Sequence, residues 1–176
     1  GAPKDLPASE LGAAVIRETL LRNVLAGAQV QSLVMGNVIQ AGNRMNPARQ
    51  AGLAAGLPVE VPALTVNRVC GSGAQAVVSA ALEVAAGMVD CAVAGGMENM
   101  DRAPYLLPQG RWGARMGDVT LFDSMLLDGL HDAISGQHAG WHTEDLVIRC
   151  GVSREDQDRW ALRSQQAFSA AQAAGR

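Results

Sequence analysis

Three cysteines and three histidines are the side chains best suited to covalent or proton-transfer chemistry in these 176 residues, and their settings differ. Cys70 stands between an extended run, Val61-Pro62-Ala63-Leu64-Thr65-Val66, and the small-residue sequence Gly71-Ser72-Gly73; an alanine-rich stretch from Ala74 to Met88 follows. The hydrophobic period changes there from strand-like to helix-like. The spacing therefore predicts Cys70 on a tight turn between a strand and a helix N-terminus. Free N–H groups and the positive end of the helix dipole stabilise a thiolate at such a position. The flanking glycines are expected to let the backbone turn sharply and to let a substrate carbonyl approach the main chain. This is the logic of a nucleophile elbow, with Cys in place of Ser. A free cysteine of arbitrary context is commonly buried and inert; the strand–Cys–Gly-x-Gly–helix setting points instead to covalent catalysis.

The remaining candidates read differently. Cys91 lies in an apolar run, Val89 to Ala94, that suits a buried strand, so core packing accounts for it. Cys70, Cys91 and Cys150 are odd in number and widely spaced, which argues for reduced thiols and against a zinc site. His138, in Gln137-His138-Ala139-Gly140, reads from its neighbours alone as a loop histidine, and His131 and His142 as surface residues. Arg111 and Arg115 are isolated loop cations of the kind that are ordinarily solvated.

Composition is ordinary for a globular chain: 48% hydrophobic and 18% charged, with a net charge of −3. That charge gives no reason to invoke nucleic acid or an anionic membrane surface. No apolar run approaches membrane-spanning length and no signal peptide is visible, so an intracellular protein is expected. Scarce aromatics with abundant Ala and Gly favour close helix–sheet packing.

Elements that would position Cys70 follow in order. Gly1-Ala2-Pro3 reads as irregular. Pro7-Ala8-Ser9-Glu10-Leu11 opens a helix to about Val24, with Leu11, Val15, Ile16 and Leu20 on one face. Leu33 to Val38 reads as a strand. Asn46-Pro47 is a cap followed by Pro at the first helical position, and that helix ends near Gly56. The Cys70 strand and helix come next, then the Cys91 strand. Alternation of strand and helix implies an α/β fold with a mostly parallel sheet. From Met97 to Gly151 the periodicity lapses into Gly, Pro, Met and Trp with short apolar patches, the mark of a functional excursion. Ser153 then caps a final helix with Glu155 and Asp156 in its first turn and Gly175 at its end.

Asn67-Arg68-Val69-Cys70-Gly71-Ser72-Gly73 with Gln75-Ala76, and Ala94-Gly95-Gly96-Met97-Glu98-Asn99-Met100, resemble the N-terminal half of a thiolase. Met35-Gly36-Asn37-Val38, Asn46-Pro47-Ala48-Arg49-Gln50, Ala103-Pro104-Tyr105-Leu106-Leu107, Arg111-Trp112-Gly113, Ser153-Arg154-Glu155 and Gln157-Asp158-Arg159-Trp160-Ala161 extend the resemblance in the family's order. It covers nearly the whole chain. It implies a thiolase-like N-terminal α/β domain over residues 1–96, a mixed, mostly parallel sheet with helices on both faces. Residues 97–176 would be an inserted loop domain ending in a long helix. In the family a first strand, taken as central in the sheet, precedes Lys4-Asp5-Leu6, and a C-terminal domain follows; neither is among these residues, and loss of a central strand would leave two edges exposed.

The resemblance also implies chemistry. Cys70 would be the acyl-thioester nucleophile, with its own backbone N–H as one oxyanion donor. Coenzyme A and acyl-CoA would be substrates, with no prosthetic group and no metal. Leu130, His138 and Ala139 match CoA-contacting positions. Ala139 stands where the family has Met, which opens pocket volume that Trp141 would partly refill, so acyl-chain preference is left open. The Arg111-Trp112 region lies nearer the family's oligomer contacts, and a cytoplasmic homodimer or homotetramer in lipid metabolism, without nucleic acid or membrane partners, is expected. The motifs Asn-Glu-Ala-Phe, Gly-His-Pro and Cys-x-Gly-Gly, which bring the family's histidine, second cysteine and asparagine-held water, do not occur here. A non-catalytic or split half that acts only with a separate C-terminal partner is therefore the alternative, and these residues alone are expected to be inactive. A ketoacyl synthase shares the Cys elbow, but the Gly-Gly-Met-Glu-Asn-Met run argues against it.

Overall fold

A computed structural model describes residues 4–175; Gly1-Ala2-Pro3, read above as irregular, lies outside them. Two compact units divide the chain, one running to Leu130 and the other from His131.

In the first unit, β1 (Ser32–Gly36) is the middle of a three-stranded parallel sheet, between β2 (Ala63–Val66) and β3 (Ala92–Gly96). Leu33 stands in register with Ala63 on one side and Val93 on the other. Every residue of β1 is buried, whereas β2 and β3 are only partly so. A strand covered on both faces and paired on both edges reads as a continuous apolar run, and Leu33-Val34-Met35 is one. The described sheet thus has its centre filled by β1, with no gap of the kind expected from a missing central strand.

Alternation along β1 divides the core. Leu33 and Met35 join Ile16 and Leu20 of α1 (Ala8–Arg22) and Ala48 and Ala51 of α2 (Pro47–Ala55) in one cluster. Val34 turns the other way, to Ala76 and Ala80 of α3 (Ser72–Ala85). Helices therefore cover both faces. Cys91 packs against the first cluster, as core packing requires. Asn46 caps α2 in a left-handed conformation (φ 43°); its Oδ1 accepts the Arg49 N–H at 3.2 Å and the Thr65 hydroxyl at 2.8 Å, and its Nδ2 donates to the Ala63 carbonyl at 2.9 Å. One side chain thereby starts a helix and ties it to the neighbouring strand.

Beyond β3 the chain makes a small antiparallel pair, β4 (Tyr105–Leu106) with β5 (Phe122–Asp123), and a π-helical turn over Met125–Leu130. In the second unit, α4 (Ala139–Cys150) precedes α5 (Arg154–Ala173). The α4 helix departs from the irregular reading of residues 97–151. None of its residues is buried, and a histidine stands at its cap in place of a customary residue. The α5 cap is as expected, with the Asp156 N–H donated to Ser153 Oγ at 3.1 Å. Among the described residues no helix is long and apolar enough to cross a membrane.

Candidate functional site

All three strands of the sheet end on the same side, at Gly36, Val66 and Gly96. The C-terminal edge of a parallel sheet is where α/β folds place their ligand sites. Cys70 lies there, in the segment that climbs from Val66 to the start of α3.

That segment is not a bare strand-to-helix corner. Asn67 to Gly71 intervene, and Gly71 caps α3 with φ −85° and ψ 5°. The left-handed residue is Val69, at φ 49°, immediately before the cysteine. A β-branched side chain is strained in that region, at a cost of about 1–3 kcal/mol, and stays there only when its surroundings over-determine it. They do. Val69 N–H donates to Asn67 Oδ1 at 2.9 Å. The Val69 carbonyl accepts the Ser72 N–H at 3.0 Å and the Ser72 hydroxyl as well. That hydroxyl oxygen in turn accepts the Arg68 N–H at 2.9 Å. The sharp turn was expected of the glycines; instead neither Gly71 nor Gly73 takes a positive φ, and the strain falls on Val69.

What the glycines supply is proximity. A Cβ on Gly36 would stand 2.6 Å from the Ser72 carbonyl carbon, and one on Gly96 would stand 3.3 Å from Gly73 Cα. The first turn of α3 rests directly on the strand ends because those positions have no side chain. The Cys70 N–H takes no part in the bonds that close the turn, which go through Gly71, Ser72 and Gln75.

Cys70 is exposed and lines a cavity of about 360 Å³. Most of the wall is apolar, from Val38, Ile39, Met97, Met100 and Leu130. Leu130, one of the three positions expected to meet CoA, is thus brought to the same cavity as Cys70. His138 and Ala139, the other two, belong to the second unit. There His138 caps α4, its Nδ1 accepting the Gly140 N–H at 3.0 Å, and its ring meets His131 edge-on at 5.9 Å. Ala139 is the exposed first residue of that helix.

Glu98 and Asn37 entered above only as parts of motifs. The structure gives both side chains defined contacts at the cavity. Asn37 is buried at 1% exposure; its Nδ2 donates to the Met97 carbonyl at 3.2 Å and to Glu98 Oε1 at 2.8 Å. Glu98 Oε2 accepts the Val38 N–H at 2.8 Å and the Ile39 N–H at 3.4 Å. The carboxylate thus joins the loop after β3 to the loop after β1. Asn67 completes the set, donating from Nδ2 to the Val38 carbonyl at 3.3 Å. An Asx turn, in which an Asn side chain bonds the backbone two residues on, is a local signal that was present in Asn67-Arg68-Val69.

His142, Ser135 and Asp132 of the second unit superficially suggest a relay, but the geometry opposes it. Ser135 Oγ lies 2.9 Å from His142 Nε2 yet donates its own proton to Asp132 Oδ2 at 2.6 Å. Asp132 and Ser135 belong to the loop before α4 and His142 to the start of that helix. The Ser135 hydroxyl and then its N–H hold the Asp132 carboxyl below the ordinary carboxylate value, with His142 a lesser influence. On α5, Arg154 and Asp158 shift each other outward through their hydrogen bond, Arg154 upward and Asp158 downward. Among the described residues no cluster of His, Cys, Asp and Glu could hold a metal ion.

Comparison with known proteins gives one consistent answer. A family model described as the thiolase N-terminal domain matches residues 1–176. An acetyl-CoA acetyltransferase of Cupriavidus necator is 48% identical over 176 residues, all of this chain and 45% of that relative. One from Pseudomonas aeruginosa is also 48% identical over the same coverage. A probable acetyl-CoA acyltransferase of Staphylococcus epidermidis is 46% identical over 175 residues, 99% of this chain and 44% of that relative. The chain spans less than half the length of the curated relatives it matches.

Proposed function

Since the chain belongs to the thiolase family through its N-terminal domain, we propose that it serves CoA-dependent acyl transfer, as acetyl-CoA C-acetyltransferase or 3-ketoacyl-CoA thiolase, through an acyl-Cys70 intermediate. The observation that supports this most is the placement of Cys70. An exposed thiol sits one residue before the cap of α3, at the C-terminal edge of a parallel sheet, and lines an apolar cavity.

In the thiolytic direction the Cys70 thiolate attacks the 3-keto carbon of the acyl-CoA. The bond between that carbon and its α-carbon breaks; the acyl group stays on sulfur, and the departing acetyl-CoA carbanion takes up a proton. The thiol of a second CoA then attacks the thioester, forms the shortened acyl-CoA and returns Cys70 as thiolate. Synthesis runs these steps backward. The cavity supplies a surface for the acyl portion, and the Cys70 N–H, unused by the turn, is the oxyanion donor of the proposal.

By the same resemblance Leu130, His138 and Ala139 contact CoA, residues 1–96 form the nucleophile-bearing domain and residues 97–176 the loop domain. Acyl-CoA and CoA are the substrates and no prosthetic group takes part. We further propose a cytoplasmic homodimer or homotetramer working in lipid metabolism.

The test is the intact mass of the purified native protein before and after brief exposure to acetoacetyl-CoA. One added acetyl group, absent in Cys70→Ala, is expected. An adduct that survives Cys70→Ala, or none on the parent, overturns the assignment.

A further inference from the structure

We propose that Glu98 and Asn67 are positioning residues for the Cys70 thiol, linked through the Val38–Ile39 peptide and acting on the strained Val69. The inference rests on the acyl-transfer reading of Cys70 and adds to it two residues that do not themselves react.

Glu98 is the one acidic side chain lining the cavity among the described residues. An acidic group beside a nucleophile invites a proton-transfer role, but its contacts assign another. Oε1 is held by the Asn37 amide, and Oε2 by the Val38 and Ile39 N–H groups. Charge-assisted bonds from fixed donors are strong and directional. They clamp the loop after β1 in place, and the Val38–Ile39 peptide with it.

That peptide has a second face. Its N–H, that of Ile39, donates to Glu98 Oε2 at 3.4 Å, and its carbonyl, that of Val38, accepts from Asn67 Nδ2 at 3.3 Å. Asn67 uses its remaining oxygen on the Val69 N–H at 2.9 Å. A single chain of contacts therefore runs from the carboxylate of Glu98 through one peptide and one amide to the residue before Cys70. Each amide in it donates on one side and accepts on the other, so both polar ends are fixed.

The need for such a chain lies in Val69. At φ 49° its backbone costs energy that relaxation to an ordinary conformation would release, and relaxation would swing the following Cα–Cβ bond. Ser72 holds the carbonyl side of Val69, and Asn67 holds the N–H side. Without Asn67 one side is free. Without the second oxygen of Glu98, the Val38 anchor of Asn67 is free.

The experiment compares the parent protein with Asn67→Ala, Glu98→Gln and the double variant, all in the native full chain. Two rates are read at Cys70: acylation by acetyl-CoA, by rapid-quench mass spectrometry, and alkylation by iodoacetamide. Glu98→Gln replaces one acceptor oxygen by an NH2 group, which cannot accept both sets of N–H donors. Expected is a loss of acylation of about 10- to 100-fold in each single variant, the scale of a misplacement near 1 Å. Alkylation, which needs no aimed approach, stays within about threefold. Because the two residues act through one chain, the double variant is no slower than the slower single.

Acylation within about threefold of the parent in both single variants overturns the proposal, and so does a double variant whose losses multiply. Should Glu98→Gln fail to fold, Asn67→Ala decides alone, since Asn67 is exposed and outside the core clusters. A parent that is never acylated defeats the acyl-transfer reading itself, and this inference falls with it. A parent that is acylated alongside unimpaired variants defeats the positioning chain only.

Discussion

Gly36 and Ser72 meet backbone to backbone: a Cβ on Gly36 would stand 2.6 Å from the Ser72 carbonyl carbon and 2.8 Å from its Cβ. The nearest atoms belong to main chain, so no rotamer change relieves the clash. Gly36→Ala must push α3 from the strand ends and move Cys70 with it. A loss of about 1–3 kcal/mol is expected for such overpacking, together with slowed acylation of Cys70. Urea unfolding at unchanged slope measures the first, and the acetyl adduct the second. A variant as stable as the parent would show that the helix start is not seated on β1.

Ser72→Ala tests the turn from its other side. Ser72 is buried at 4% exposure and its hydroxyl both accepts from Arg68 N–H and donates to the Val69 carbonyl. Alanine suits the helix but leaves the Arg68 N–H without its acceptor, while the Val69 carbonyl keeps only the backbone N–H of residue 72. The expected loss is about 1 kcal/mol in stability. Thermal unfolding of the variant beside Ser79→Ala, whose hydroxyl is on the same helix and outside the turn, gives the comparison.

Asn46→Ala removes a cap, the cross-tie to β2 and a residue tolerant of positive φ in one step. A loss of about 2 kcal/mol, at the high end for caps, is expected. Asn46→Gly retains the backbone freedom and loses only the hydrogen bonds, so it falls between parent and alanine in a denaturation series. Equal losses in the two variants would remove the conformational part of this account.

Asp132 contributes a pH dependence to the second unit. Its carboxyl is held below the ordinary 3.8, first by the Ser135 hydroxyl and then by the Ser135 N–H. A group lowered in the folded state binds its proton more weakly there than in the unfolded chain. The contribution of its hydrogen bonds is therefore complete above the ordinary value and is lost as pH falls through the lowered one. Carbon-13 titration of the Asp132 carboxyl should give a midpoint below 3.8 in the parent and a rise toward it in Ser135→Ala. A midpoint indifferent to that substitution would contradict the assigned cause.

Local chemistry was readable from the sequence wherever one residue decides one feature. Asn46-Pro47 starts α2 and Ser153 starts α5 because a cap needs only its own next turn. The Cys70 elbow was readable because the change of period and the glycines fall side by side. The α4 helix was not, since a histidine caps it in place of Ser, Thr, Asp or Asn. The elbow's strain was assigned to the residues that tolerate it best, whereas local side-chain bonds from Asn67 and Ser72 hold it on Val69. Glu98 stayed a motif letter because its partners, Asn37, Val38 and Ile39, are about sixty positions away in the chain. A contact of that kind is a property of the parallel register, which no local window contains.

The same register sets a timetable for the thiol. During synthesis the central strand leaves the ribosome first, β2 and Cys70 follow, and the strand bearing Glu98 at its end comes last of the three. For that interval the chain displays a nucleophile with no cavity around it. Reaction of Cys70 with acetyl-CoA then reads out more than catalysis: in ribosome-stalled chains of increasing length it would date the moment at which the sheet closes.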